Sequence, residues 1–180
     1  MVITVLSTII ATGVITGAII LWVKSTQRRL VMLDEYINNA MSQIGVQLSC
    51  RFDALTTLLN IIKGHAGHES EMLIEIIKSG RSDITAKSTP DDVLRQEGII
   101  DEALDRIARV SEQYPELKVN ENYIKSMDAV GIYENMIRTS HLIYNDSVMK
   151  LNREICMIPV SIIKGLLGFS ERNYLVEKQI

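Results

Sequence analysis

The sequence predicts an all-α protein, an antiparallel up-down bundle of long helices behind one N-terminal transmembrane helix. Three observations predict it. Residues 2–23 form an apolar run without a single charged side chain. Beyond that run, apolar residues recur three or four apart through long stretches, the period of a helix with one buried face. The chain also has only 3 Pro, 10 Gly and 5% aromatic residues, too little turn chemistry and too few ring side chains for a β-protein. Two domains follow, residues 1–25 as anchor and residues 26–180 as a helical bundle domain long enough to bury a continuous core.

About 22 apolar residues rising 1.5 Å each reach roughly 33 Å, enough for a bilayer core of about 30 Å. Trp22 closes the run where an amphipathic ring sits at headgroup level, and Lys24, Arg28 and Arg29 follow. A cleaved signal peptide fits poorly. No basic segment precedes the run, the run exceeds the usual apolar length of about 7–15 residues, and no small-x-small site precedes Lys24. With all nearby cations after the span, the N-terminus is expected outside and the bundle in the cytoplasm.

Inside the run Thr4, Thr8, Thr12 and Thr16 recur every four residues, and Gly13 and Gly17 form a GxxxG beside them. Leu6, Ile10 and Val14 make the opposite side bulky. Small residues let helix backbones approach closely in lipid, and hydroxyls can bond across the contact. Thr8, Thr12, Gly13, Thr16 and Gly17 are therefore the expected self-association face. The plainer reading is that they simply face lipid.

A first long helix is expected from about Gln27 to Lys63, with Leu30, Leu33, Ile37, Met41, Ile44, Leu48, Phe52, Leu55, Leu59 and Ile62 on its buried stripe. The step of 11 residues from Ile37 through Leu48 to Leu59 keeps that stripe straight. No breaker separates it from the span, so anchor and helix are expected to form one rod. Gly64-His65-Ala66-Gly67 is the first turn signal. A helix over His68–Ser82 and a loop over Ile84–Ser88 come next. Thr89-Pro90-Asp91-Asp92 then reads as cap, first helical residue and acids at the positive dipole end. That helix runs to about Gln113, with Leu94, Ile100, Ala103, Leu104 and Ile107 inward. Asn120 caps a third long helix to about Met157, whose coiled-coil-like seam is Met127, Val130, Glu134, Ile137, His141, Tyr144, Val148, Leu151 and Ile155. Pro159 stops it. The apolar-sided tail Ser161–Tyr174 is expected to pack back on the bundle rather than lie on the membrane. The joints predict that the first and third helices run parallel.

Little here suggests chemistry. A net charge of −3 and a pI near 5.6 argue against nucleic acid. There is no glycine-rich phosphate loop and no GxSxG. Cys50 and Cys156 form no disulfide framework or zinc spacing and read as reduced thiols. His65, His68 and Glu69 share a helical face, but two glycines interrupt it and the spacing is not HExxH, so no metal is expected. No cofactor and no small-molecule substrate are indicated, and three early cations are few for a specific lipid site. The polar members of the third-helix seam, Glu134 and His141, require partners if buried. Arg51 falls at their height, so a structural network of Arg51, Glu134 and His141, with Gln47 or Tyr144 in reach, is expected to fix helix register. The rival, a catalytic acid-base pair, lacks a visible nucleophile.

Several blocks resemble the LemA family of bacterial membrane-anchored helical proteins. In the first half these are Asn39-Ala40-Met41-Ser42-Gln43-Ile44, Val46-Gln47-Leu48, Arg51, Leu55 to Lys63 and His68-Glu69. In the second half they are Tyr114-Pro115-Glu116-Leu117-Lys118, Tyr133-Glu134-Asn135, Tyr144-Asn145-Asp146-Ser147-Val148 and Gly168-Phe169. The resemblance implies a bundle of long antiparallel helices behind one span with its N-terminus outside, in a bacterial inner membrane, and carries no established catalytic residues. The chain departs from the family pattern at Gln27-Arg28, where Tyr-Asn is usual, and at His141, where Arg is usual.

The expected function is a single-pass membrane-anchored scaffold or interaction protein, self-associating and not an enzyme. The alternative is an accessory subunit of a membrane enzyme or transporter, bound through the bundle surface. Its partners would be the membrane, further copies of itself and other membrane proteins.

Overall fold

The computed structural model describes the backbone of residues 1–176 and their side chains except those of Val2, residues 65–73 and Ile76. Four α-helices are present: α1 (Val2–Gly80), α2 (Pro90–Gln113), α3 (Glu121–Cys156) and α4 (Val160–Ile163), with a 3₁₀ turn at Pro115–Val119. No strand occurs among the described residues, so the fold is all-α. The chain divides into two compact units, one made of Met1–Tyr36 and Ser147–Arg172, the other of Ile37–Asp146 and the residues from Asn173 on.

In the second unit α1 is helical throughout but not straight. Arg81 Nη1 lies 2.6 Å from Asp53 Oδ1, and its Nη2 lies 2.5 Å from Ser49 Oγ. A straight helix would hold residues 53 and 81 about 42 Å apart. The chain therefore doubles back inside α1. The close pairs are 45 with 84, 49 with 81 and 53 with 81. Their midpoints fall on the Gly64–Gly67 stretch expected to turn. The helical backbone persists through a stretch expected to break it.

Gly45 makes this reversal possible. A methyl group on its Cα would overlap the carbonyl oxygen of Ile84 and lie 2.9 Å from its carbonyl carbon. Backbone atoms cannot step aside as a flexible side chain can. The turn after Gly80 is held by Gln96, which is fully buried. Its Nε2 donates to Gly80 O at 3.1 Å, and its Oε1 accepts from Ser82 N at 2.9 Å.

The loop then leads to a capped start. Thr89 accepts from Asp92 N at 3.3 Å while Asp92 accepts from Thr89 N at 3.0 Å, a reciprocal capping box with Pro90 at the first helical position. Asn120 opens α3 by accepting from Asn122 N and Tyr123 N.

Contacts set the directions. Gln96 meets residues 80–82 and Asp101 meets Arg51, so α2 runs with the first arm of α1. Gln47 meets Ser140 and Arg51 meets Glu134, so α3 runs against it. This corrects the expected parallel first and third helices. The stretch after Gly67 is the return arm of α1, which adds one crossing to the count.

The core follows the predicted stripes. Ile37, Met41, Ile44, Leu48, Phe52, Leu55, Leu59 and Ile62 of α1 are buried, as are Val93, Ile100, Ala103 and Ile107 of α2 and Val130, Ile137 and Tyr144 of α3. Leu94 and Leu104 are only half-buried.

In the first unit, residues 3–22 of α1 carry an apolar surface that nothing covers. Burial begins at Thr26 and Leu30. Opposite them Val148, Leu151, Ile155 and Val160 are buried. Arg29 pairs with Glu154. Arg172 donates twice to Asp34 Oδ1, at 2.7 and 3.1 Å, and exchanges two backbone bonds with the Asn152 amide, each 2.9 Å. After α4 the chain stops in a Schellman motif. Phe169 N donates to Lys164 O, Gly168 N donates to Gly165 O, and Gly168 sits at φ +78°.

Candidate functional site

The second unit contains a charged cavity of about 580 Å³. Arg51 of α1 forms its floor, and α2 and α3 supply acids and cations around it, among them Glu97, Asp101, Glu134, Arg138 and His141. The helical period explains the grouping. Leu94, Glu97 and Asp101 lie three and four apart on one face of α2, and Glu134, Ile137, Arg138 and His141 do the same on α3.

Arg51 is the centre. Its side chain is 4% exposed, and its Nη2 sits 3.3 Å from Asp101 Oδ1 and 3.3 Å from Glu134 Oε2. Glu134 also holds Arg138 one turn on, at 3.3 Å. A buried guanidinium demands such company, because desolvation of an unpaired charge costs far more than these contacts return. The Asp101 carboxyl is pushed above the usual carboxylate range. Withdrawal from bulk water is the main cause; Arg51 opposes it, and the neighbouring Glu97 and Glu134 carboxylates add to it. His141 lies against a different acid, with Nε2 3.1 Å from Glu97 Oε1.

The expected trio of Arg51, Glu134 and His141 is thus placed around one cavity but divided between two pairs. Gln47 goes to Ser140 at 3.1 Å, and the Tyr144 hydroxyl donates to Asn173 O at 3.0 Å. Sequence reasoning missed Glu97 and Asp101. The signal was available, since both continue the α2 stripe that Leu94 starts. It was overlooked because an acid at a stripe position reads as exposed.

As chemistry, the cavity is a balanced mixture of acids and guanidinium groups without a Ser or Cys nucleophile in its lining. Among the described residues no group of three or more His, Cys, Asp or Glu could hold a metal ion. The His65, His68 and Glu69 side chains lie outside the described residues. Cys50 and Cys156 are free thiols.

A second, shallower hollow of about 420 Å³ lies between α1 and α3, lined by Gln43, Gln47, Ile132, Met136 and Ile143 among others. Ile132, Met136 and Ile143 are all exposed, as is Val46 on α1.

The residues expected to mediate self-association stand on the uncovered part of α1. Thr8, Thr12 and Thr16 direct their hydroxyls back to the carbonyls of Val5, Thr8 and Thr12 at 2.7–2.8 Å. A Cβ on Gly13 or Gly17 would meet nothing. The face thus offers close approach, while its hydroxyl protons are already used.

One long uncovered apolar helix ahead of a helical fold with an apolar core and a charged cavity defines a class: all-α proteins with a candidate membrane anchor. Within it the chain belongs to the LemA family, whose model matches residues 40–179. No curated protein sequence matches the chain.

Proposed function

We propose that the chain is a single-pass membrane protein whose helical bundle is a scaffold or interaction module, self-associating and without catalytic activity of its own. The observation that carries the reading is the N-terminal part of α1, apolar enough to span a bilayer and with none of that surface buried. Such a surface is unfavourable in water and demands lipid or protein around it. The cations Lys24, Arg28 and Arg29 favour an outside N-terminus and a cytoplasmic bundle in the inner membrane of a bacterium. The exposed row of Ile132, Met136 and Ile143 supports an interaction role.

Self-association is tested by the size of the purified full chain in detergent. The proposal expects large particles that shrink with Gly13→Ile plus Gly17→Ile. A monodisperse monomer in both forms would exclude it. If a second membrane protein then co-purified from cells and was lost with Met136→Glu, the hollow between α1 and α3 would favour the accessory-subunit reading.

A further inference from the structure

Against the expectation that the tail packs only on the bundle, Ile162 and Leu166 are exposed, and we propose that the segment joining α3 to the C-terminal tail, centred on α4, dips into the surface of the same bilayer that α1 spans, as a second contact with the membrane. This rests on the membrane-anchor reading above.

Every residue involved lies in the first unit. Ile158, Ile162 and Leu166 recur every four residues and are 82%, 78% and 87% exposed, with Met157 exposed beside them. Across the segment Val160 is buried, so it presents one covered side and one bare apolar side. The Schellman bonds at Gly168 hold the segment as a compact helical turn, which fixes the bare side as a surface.

Its height matches the membrane surface. Arg29 pairs with Glu154, and Asp34 reaches Asn152 through Arg172. The lower-numbered α1 residue thus meets the higher-numbered α3 residue, so α3 descends towards the span. Arg29 stands seven residues beyond Trp22, about 10 Å along the axis, and α3 ends at Cys156, two residues below Glu154, about 3 Å. That leaves the end of α3 about 7 Å above the Trp22 level, with Met157 and Ile158 following directly. The interfacial layer is roughly 5–7 Å deep on each side of the hydrocarbon. Interfacial helices bury their apolar face about 5–10 Å into the boundary.

The charges suit phosphate headgroups. Lys24, Arg28 and Arg153 are exposed in the same unit, while Glu154 and Glu171 are taken by Arg29 and Lys164. A cationic rim about an exposed apolar face is the pattern that binds anionic bilayers.

The test uses the full chain, with Cys50→Ser and Cys156→Ser, reconstituted in vesicles of phosphatidylcholine with phosphatidylglycerol. A polarity-sensitive fluorophore is attached at Leu166→Cys, and brominated lipids serve as quenchers. The proposal expects a blue-shifted emission at Leu166, most of it lost with brominated lipid. Glu112→Cys, exposed in the other unit, should show neither effect. Ile158→Ser plus Ile162→Ser, both at exposed positions, should return the Leu166 probe to a water-like emission. Val14→Cys separates the two readings. Quenching at Val14 without quenching at Leu166 overturns this inference alone, whereas no quenching at either overturns the anchor as well. A blue shift at Leu166 that grows with protein density and ignores brominated lipid makes the face a contact between copies, and also overturns it.

Discussion

Asn145 holds Leu175 by both ends of its amide: Nδ2 donates to Leu175 O at 2.7 Å, and Leu175 N donates to Asn145 Oδ1 at 2.8 Å. Asn152, seven residues further along α3, holds Arg172 in the same way. Two identical clamps one heptad apart recognise backbone rather than side chains. Leu175 itself is buried. Asn145→Ala removes two bonds and leaves a part-buried backbone pair without them, at a cost of about 1–3 kcal/mol. The Tm should fall by several degrees, and residues beyond Arg172 should become sensitive to limited proteolysis. Asn145→Asp keeps the acceptor and loses the donor, so it should fall in between.

Arg51 is the charge on which the cavity depends. Arg51→Leu leaves Asp101 and Glu134 facing each other with only Arg138, on the outer side of Glu134, to offset them. Both acids are partly open to solvent, so the loss should be about 1–2 kcal/mol rather than the larger figure for a sealed pair. The loss should shrink towards pH 4, where the acids take up protons. Arg51→Lys should not restore stability, because an ammonium cannot bridge two carboxylates as a planar guanidinium does. Thermal melts at pH 7 and pH 4 check all three statements.

Asp101 has the opposite sign. Its folded-state pKa is raised above the ordinary value of 3.8, so the native state binds more protons than the unfolded chain through that window. Its contribution is complete below pH 3.8 and is lost as pH rises through the raised value. Asp101→Asn, which keeps an acceptor near Arg51, should flatten this slope. Its stability relative to the unaltered chain should be higher at pH 7 than at pH 4, measured as the difference between the two denaturation midpoints. An equal shift at both pH values would refute the assignment.

The start of α2 behaves like an ordinary cap. Thr89→Ala should cost about 1 kcal/mol. The Asp92 carboxyl is held below its ordinary value, first by the Thr89 backbone N–H, then by the Thr89 hydroxyl and by Arg95, with desolvation opposing. A lowered pKa stabilises above 3.8, and the effect fades as pH falls through the folded value. Asp92→Asn should therefore matter at pH 7 and not at pH 2, a comparison accessible to urea titration.

The apolar stripes were legible because burial imposes the helical period directly. Ile37 to Ile62 on α1 and Val130 to Ile155 on α3 could be read without a structure, and so could the caps at Thr89 and Asn120. The pairing of Arg51 with Glu134 was also within reach, since a cation on a buried stripe needs an acid from a facing helix, although the parallel arrangement behind it was wrong. What escaped were relationships that depend on direction. A return arm after Gly67 reverses the sense of α2 and α3 against the first arm of α1, and periodicity is blind to polarity. That reversal brings Glu97 of α2, rather than Arg51, against His141. Gln96 was invisible because its partners are backbone atoms of a turn sixteen residues away, and no pattern of side chains announces them.

For anyone raising the heat tolerance of this chain, Gly45 sets a boundary. The usual recipe exchanges helix-interior glycines for alanine, a gain of roughly 0.5–1 kcal/mol each. Gly131, where an added methyl meets nothing, should repay it. Gly45→Ala should do the reverse and destabilise, because the methyl can be housed only by prising the Ile84 segment off its helix. A design protocol that ranks positions by helix propensity alone would choose both, and melting the two single variants side by side would show why it should choose one.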